Sequence, residues 1–258
     1  MFAVKESTLH HAIADDEPSL IQPGRHAEFL EQVSSLEFDL FISNGCPVII
    51  PVTKLKKSHQ HFLNVHPSLL PEFRGYHPAN GVLLKGAKEA GATLHEMADL
   101  VDRGAIVHQE RFPITPDLDL ALLYHLLFTT ETRVFTHGIT KLIEHAFTIS
   151  NPHQIGVASY YRRSPEDMRV DFATMDDAEI LRRVRAFGIR SQGVRCTIEN
   201  QEFTLFEAQS LKNPLLLELH EAKAPGSIVL RYDDTLIVRS LESLIKVSKF
   251  ASHKIHNS

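Results

Sequence analysis

Cysteine is scarce and tryptophan is missing: the 258 residues hold two Cys and no Trp. Cys46 and Cys196 stand far apart, which excludes a disulfide framework and a Cys-rich zinc site. Each reads as a small buried hydrophobe. No run of about 18 consecutive apolar residues occurs, and the opening MFAVKESTLHHAIADDEPSL lacks the apolar centre of a secretion signal. The expectation is a soluble, cytoplasmic protein. Neither sign of charge dominates, since 27 Lys and Arg against 32 Asp and Glu leave a net −5, which does not suit a nucleic-acid coat. With 12 Gly, 13 Pro and 23% charged residues, collagen, coiled coil and disorder are excluded as the main theme. What is present is 43% hydrophobic content, enough for one full core with or without a small appendage.

Short apolar runs closed by turn residues read as buried strands at 38–44, 61–66, 91–97 and 105–114. Helical apolar spacing covers 79–89, weakened by Gly81 and Gly86, and then 119–147, with Asp117 or Asp119 as N-cap. Strands alternating with helices predict an α/β layer with a largely parallel sheet. After residues 150–156 the texture changes. One amphipathic helix at 178–187 precedes two strands about an Asn-Gln turn in 194–208 and three more strands in 223–247. We therefore expect residues 1–157 to form one domain and 158–258 a smaller, mostly β extension.

Sixteen histidines invite a metal reading, but HExxH, CxxC and the zinc-deaminase pattern are absent. His59 and His61 have no carboxylate nearby in sequence, so no metal is expected. GxGxxG, the P-loop and GxSxG are absent as well, leaving no local support for dinucleotide, ATP or α/β-hydrolase chemistry. The distinctive stretch is 64–75, Asn-Val-His-Pro-Ser-Leu-Leu-Pro-Glu-Phe-Arg-Gly. Asn64 and His66, at i and i+2 on a strand, share one face. The prolines and Arg74-Gly75 fix a loop just past the strand end, where open α/β sheets place ligands. An amide beside an imidazole suits oxyanion stabilisation better than a nucleophile–base pair. A buried His and Asn that merely cap a tight loop are the plain structural alternative.

N-x-H-P-S-L-L-P-x-x-R-G resembles the signature of the 10-formyltetrahydrofolate-dependent formyltransferases. Residues 91–97 (GATLHEM) and 101–106 (VDRGAI) match a second element of that family. The resemblance covers about 36–250. It implies a Rossmann-like, mostly parallel α/β sheet with a small OB-like C-terminal subdomain. It also implies catalytic roles for Asn64, His66 and Asp102, and 10-formyltetrahydrofolate as co-substrate without a metal. Pro47, Val48, Ile50, Leu55, His95 and Asp99 would lie around the folate, with main-chain groups of 47–51 reading its ring. In such a reaction an amine attacks the formyl carbonyl, and the tetrahedral oxyanion needs fixed donors. Asn64 can donate to it. A protonated His66 favoured by Asp102 can do the same. Asp102, His66 or a bound water can take the amine's proton; the sequence does not choose among them.

Relatives formylate nucleotide-linked amino sugars, initiator methionyl-tRNA or glycinamide ribonucleotide. Residues 158–258 carry 15 Lys and Arg against 14 Asp and Glu, a poor basis for tRNA. The arginines 162, 163, 169, 182, 183 and 185 suit one small diphosphate better, although ion pairs on a solvated helix face account for about half of them. The segment from Ala158 to Asp167 is similar to that of the sugar-nucleotide formyltransferases. Ser68, Arg74, Tyr160, Tyr161, Arg162 and Arg163 are thus the expected acceptor contacts, and a nucleotide-linked amino-deoxysugar for surface glycans the expected acceptor. No nucleic-acid or membrane partner is expected, and a homodimer is compatible with this reading. Asn64 arrives earlier in the chain than in the family, as though a first βα unit were missing and MFAVKES were the second strand. A catalytically silent, N-terminally shortened folate- or nucleotide-sugar-binding homologue is the competing reading.

Overall fold

A computed structural model describes residues 26–149 and 153–253. The expectation for MFAVKES and the first βα unit lies outside the described residues. The chain divides into two compact units. The first takes residues up to 78, 88–116 and 123–162; the second takes 79–87, 117–122 and 163 onward. Among the described residues no helix is long and apolar enough to cross a membrane.

In the first unit α1 (His26–Ser35) is followed by β1 (Leu40–Asn44), the short α2 (Val52–Leu55) and β2 (His61–His66). Then come β3 (Glu89–Glu96) and β4 (Ile106–Pro113), and most of the long α4 (Leu120–Glu144). The four strands lie in the order β1-β2-β3-β4. Adjacent residues of β2 face opposite sides, and each side has its own core. Phe62 stacks on Phe41 with ring centroids 5.0 Å apart, joined by Phe29 and Val33, one turn apart on α1. Leu63 and Val65 meet Ala92 and Leu94 of β3 and Val134 and Leu142 of α4. Burial on both faces explains why β1 and β2 read as continuous apolar runs.

The α/β class with a small antiparallel C-terminal sheet is as the sequence led us to expect. Of the pairs described, β1–β2 is parallel, while β2–β3 and β3–β4 are antiparallel. The last two strands are joined by a loop too short for a crossover helix. In register, Asn64 sits directly opposite His95, and β3 bulges at Leu94/His95. The N-cap of α4 is Asp119, whose Oδ1 accepts from the Leu122 amide at 2.9 Å.

The second unit begins with α3 (Pro78–Leu84, all but its first residue). Gly86, at φ 66°, ends that helix earlier than its apolar spacing suggests. The Gly86 and Ala87 amides fold back onto the Leu83 and Val82 carbonyls in a Schellman motif. α5 (Asp177–Phe187) is capped by Asp176, which accepts from the Glu179 amide at 2.6 Å. It lays Ile180, Val184 and Phe187 on a five-stranded antiparallel sheet. The sheet order is β5 (Val194–Ile198), β6 (Gln201–Leu211), β9 (Leu244–His253), β8 (Thr235–Arg239) and β7 (Ile228–Tyr232). The β5–β6 turn falls on Glu199-Asn200, both at positive φ, one residue earlier than the Asn-Gln expected from sequence. A short α6 (Pro214–Leu219) was not legible beforehand.

Glu131 on α4 is 4% exposed. Burial lifts its pKa from 4.5 to about 8, against the opposing hydrogen bond with Asn44. A carboxyl raised in the folded state stabilises fully below its unfolded pKa and progressively less as pH climbs to the folded value. Urea titrations should therefore show the wild type losing stability relative to Glu131→Gln between about pH 4.5 and 8. A pH-independent difference between the two proteins would contradict this.

Candidate active site

The C-terminal end of β2 and the loop after β3 converge on one buried polar cluster in the first unit. β2 presents Asn64 and His66 on the same face, and cross-strand register puts His95 against Asn64, with Nδ2 and Nε2 3.1 Å apart. The His95 Nδ1–H donates to the Glu96 carbonyl at 2.7 Å, so Nε2 accepts from the Asn64 amide. Asp102 arrives from the 97–105 loop with φ 55°. Its Oδ2 accepts from the Gly75 amide at 2.8 Å. His66 Nδ1 and His95 Nε2 stand 3.7 and 3.6 Å from its two oxygens, beyond hydrogen-bond reach but close enough for strong electrostatic coupling.

Burial works to raise the Asp102 pKa. The imidazoles of His95 and His66 and the Gly75 amide outweigh it and bring the carboxyl down to about 2. For His66 the balance goes the other way: burial outweighs Asp102 and holds the imidazole below its ordinary 6.5. Its Nε2–H donates to the Phe73 carbonyl at 3.0 Å. Neutral His66 therefore leaves Nδ1 as an open lone pair beside Asp102. Asp102 does favour the charged ring, but the burial of the imidazole outweighs that pull.

The loop is held by contacts with no local sequence signal. Gly104 lies so close to the end of β3 that a Cβ there would meet the Glu96 carbonyl oxygen at 1.8 Å. Gln154, 52 residues downstream of Asp102, donates to the Asp102 and Gly104 carbonyls at 2.9 Å each and accepts from the Arg74 guanidinium.

A cavity of about 290 Å³ opens over the cluster. Asn64, His66, His95 and Asp102 line it together with Pro47, Val48 and Ile50. Ile49, within the same 47–51 stretch, also lines it, as do Tyr76, Met97 and Val101, which were not foreseen. Other expected residues lie elsewhere. Leu55 packs into the Phe41–Phe62 core. Asp99 accepts from the Thr53 amide at 3.0 Å and from its hydroxyl, pinning α2 to the loop. Ser68 is fully buried, its hydroxyl on the Glu72 carbonyl at 2.7 Å. Arg74 is turned inward to Gln154. Tyr160 lies against Gly75, where a Cβ would meet its ring at 2.6 Å, and Tyr161 is buried. Arg162 reaches the wall indirectly, its guanidinium 5.7 Å from the Tyr76 ring centroid. Arg163 belongs to the second unit, beside a hollow with Arg169 and Arg195.

A family model described as formyl transferase matches residues 10–139, and one described as formyl transferase, C-terminal domain, matches 162–256. Among solved structures, HypX from Aquifex aeolicus in complex with tetrahydrofolic acid has a TM-score of 0.73 and 19% identity. That match covers 95% of this chain but 42% of HypX, so the chain spans less than half of that relative's length. The N-formyltransferase from Helicobacter canadensis in complex with folinic acid and dTDP-3-aminofucose gives 0.67 and 19%, over 95% of this chain and 82% of that one. A 4-N formyltransferase from Francisella tularensis gives 0.61 and 18%, over 77% and 81%.

Removing the Gln154 amide strands two loop carbonyls. Gln154→Ala, which also strands the Arg74 guanidinium, should cost about 1.5–4.5 kcal/mol in urea unfolding, at about 0.5–1.5 kcal/mol for each of the lost hydrogen bonds. An unchanged midpoint and slope would show that the loop does not need this clamp.

Proposed function

Because the chain belongs to the formyl transferase family, we propose that it moves a formyl group from 10-formyltetrahydrofolate to the amine of a nucleotide-linked amino-deoxysugar. The observation that carries the reading is the Asn64–His66–Asp102 cluster at the base of an otherwise largely apolar cavity. The apolar wall around Val48, Ile49 and Ile50 suits a flat pterin ring. The polar base suits a carbonyl about to become an oxyanion. The acceptor class is supported by relatives of the same fold, one of them bound to an aminofucose nucleotide, and by the even charge of residues 158–258. Residues 1–157 are assigned the chemistry and 158–258 an accessory role.

The step proceeds as follows. The acceptor's amine nitrogen attacks the formyl carbon, a C–N bond forms, and the carbonyl electrons move onto oxygen. The Asn64 side-chain amide, held by His95, has its second N–H free to donate to that oxygen. His66 Nδ1 takes the proton lost by the nitrogen, and the imidazolium so formed is stabilised by ionised Asp102 3.7 Å away. Collapse restores the carbonyl and breaks the bond to the folate nitrogen. That nitrogen leaves with the proton from His66, giving tetrahydrofolate and the formamide.

The test is a mass-spectrometric screen of UDP-, dTDP- and GDP-linked amino sugars with 10-formyltetrahydrofolate, with glycinamide ribonucleotide and initiator methionyl-tRNA as rivals. One amino sugar should gain the mass of a formyl group. Asn64→Ala should lower kcat by about 10²–10³-fold, as for loss of one oxyanion donor. No gain on any acceptor by folded protein would support the silent-homologue reading instead. The pH profile gives a separate check on the base. Since burial holds His66 below 6.5, the acid limb of kcat at saturating acceptor should have its midpoint below pH 6.5; a midpoint above pH 7 would assign the base to another group.

A further inference from the structure

Outside the cavity, β4 and α4 bring three metal-binding side chains of the first unit together. His108 and Glu110 are two residues apart on β4 and so share a face. His137 comes from α4. Glu110 Oε1 lies 2.6 Å from His137 Nδ1 and 3.3 Å from His108 Nε2, and the three ligand atoms all fall within 4.8 Å of one another. Ligands at ordinary zinc bond lengths sit about 3.4 Å apart around a tetrahedral ion. The group therefore needs side-chain adjustments of an ångström or so to close on one.

We propose that His108, Glu110 and His137 form a divalent transition-metal site, with zinc as the fitting ion and water in the fourth position. Two nitrogens and one oxygen suit zinc and its neighbours rather than magnesium or calcium. The ligands stand on a strand and a helix, not on loops, and the two elements are fixed at close approach. The helix residue after His137 is Gly138, where a Cβ would meet Leu94 Cδ2 at 2.5 Å and His108 Cβ at 3.2 Å. Arg133, one turn before His137, holds the other Glu110 oxygen at 2.9 Å and leaves Oε1 directed at both imidazoles. That is the orienting partner a metal-binding carboxylate requires. Lys141 is the competing group: its Nζ lies 2.9 Å from His108 Nδ1. It is exposed and can swing into water, freeing His108 to carry its proton on Nδ1 and ligate through Nε2. The ion would then tie α4 to the outer strand of the sheet.

The test uses the full chain, titrated with Zn²⁺ by calorimetry and with Co²⁺ by its visible absorption. The wild type should take up one ion, show the intense bands of a four-coordinate cobalt site, and melt at higher temperature with zinc. His137→Ala and Glu110→Gln should each weaken uptake at least about tenfold and abolish the melting shift, with circular dichroism showing both variants folded. Absence of uptake by the wild type overturns the proposal. So does uptake undiminished in both variants, which would place zinc on other histidines.

Discussion

The arrangement of the first unit turns on one buried charge, the Asp102 carboxylate. Taking a carboxylate out of water costs several kcal/mol unless donors and positive potential replace the solvent. Here the replacement is specific. The Gly75 amide supplies a hydrogen bond, and the two imidazoles just beyond hydrogen-bond distance add positive potential when they carry a second proton. Each of these groups fixes a segment. Gly75 closes the proline-bracketed loop that leaves β2, His66 holds the Phe73 carbonyl of that same loop, and His95 orients Asn64. A carboxylate placed a few ångströms away would satisfy none of them, so the backbone of its loop is correspondingly constrained. The left-handed φ at Asp102, the side-chain-free Gly104 and the Gln154 clamp all serve that one position.

This explains which parts of the site were legible in the sequence. The i, i+2 spacing of Asn64 and His66 states their shared face outright, because strand periodicity needs no tertiary information. The partner across the ladder, His95, follows once β3 is placed, but its role as an orienting acceptor for Asn64 depends on a register that sequence patterns do not supply. Gln154 was illegible. It lies far from Asp102 in the chain, and nothing in its local sequence marks it as the donor to two loop carbonyls. Asp99 and Leu55 show the converse. Both lie near the cavity in sequence, yet one caps the Thr53 turn and the other fills the apolar core. Proximity along a loop says which side chains are available, while burial and donor satisfaction decide which of them face a ligand.

The arginines of the second unit teach the same lesson through charge. Six arginines in the 162–185 span, all but Arg162 in the second unit, suggested a phosphate site. Arg183, however, pairs with Glu179 at 2.7 Å and donates to the Glu166 and Arg169 carbonyls, while Arg185 reaches the Leu118 carbonyl. These guanidiniums tie a helix–loop junction together, their planar forks donating to carbonyls and, for Arg183, also to the Glu179 carboxylate. Only the geometry separates them from Arg163, Arg169 and Arg195, which border a surface hollow.

Two buried carboxyls on opposite sides of their ordinary range make the governing physics plain. Glu131 and Asp102 are 4% and 9% exposed, so desolvation pushes both upward. Glu131 meets a single neutral amide, from Asn44, and rises to about 8; Asp102 meets two imidazoles and a backbone N–H and falls to about 2. Burial alone therefore does not set the protonation state. The difference lies in what each carboxyl faces, and it divides their roles. A carboxyl that is neutral near pH 7 can fill a helix–sheet interface at little electrostatic cost. One that stays ionised through the whole working range holds a negative potential beside His66 Nδ1. A proton arriving at that nitrogen from an attacking amine is then stabilised where the ring's own burial would otherwise refuse it.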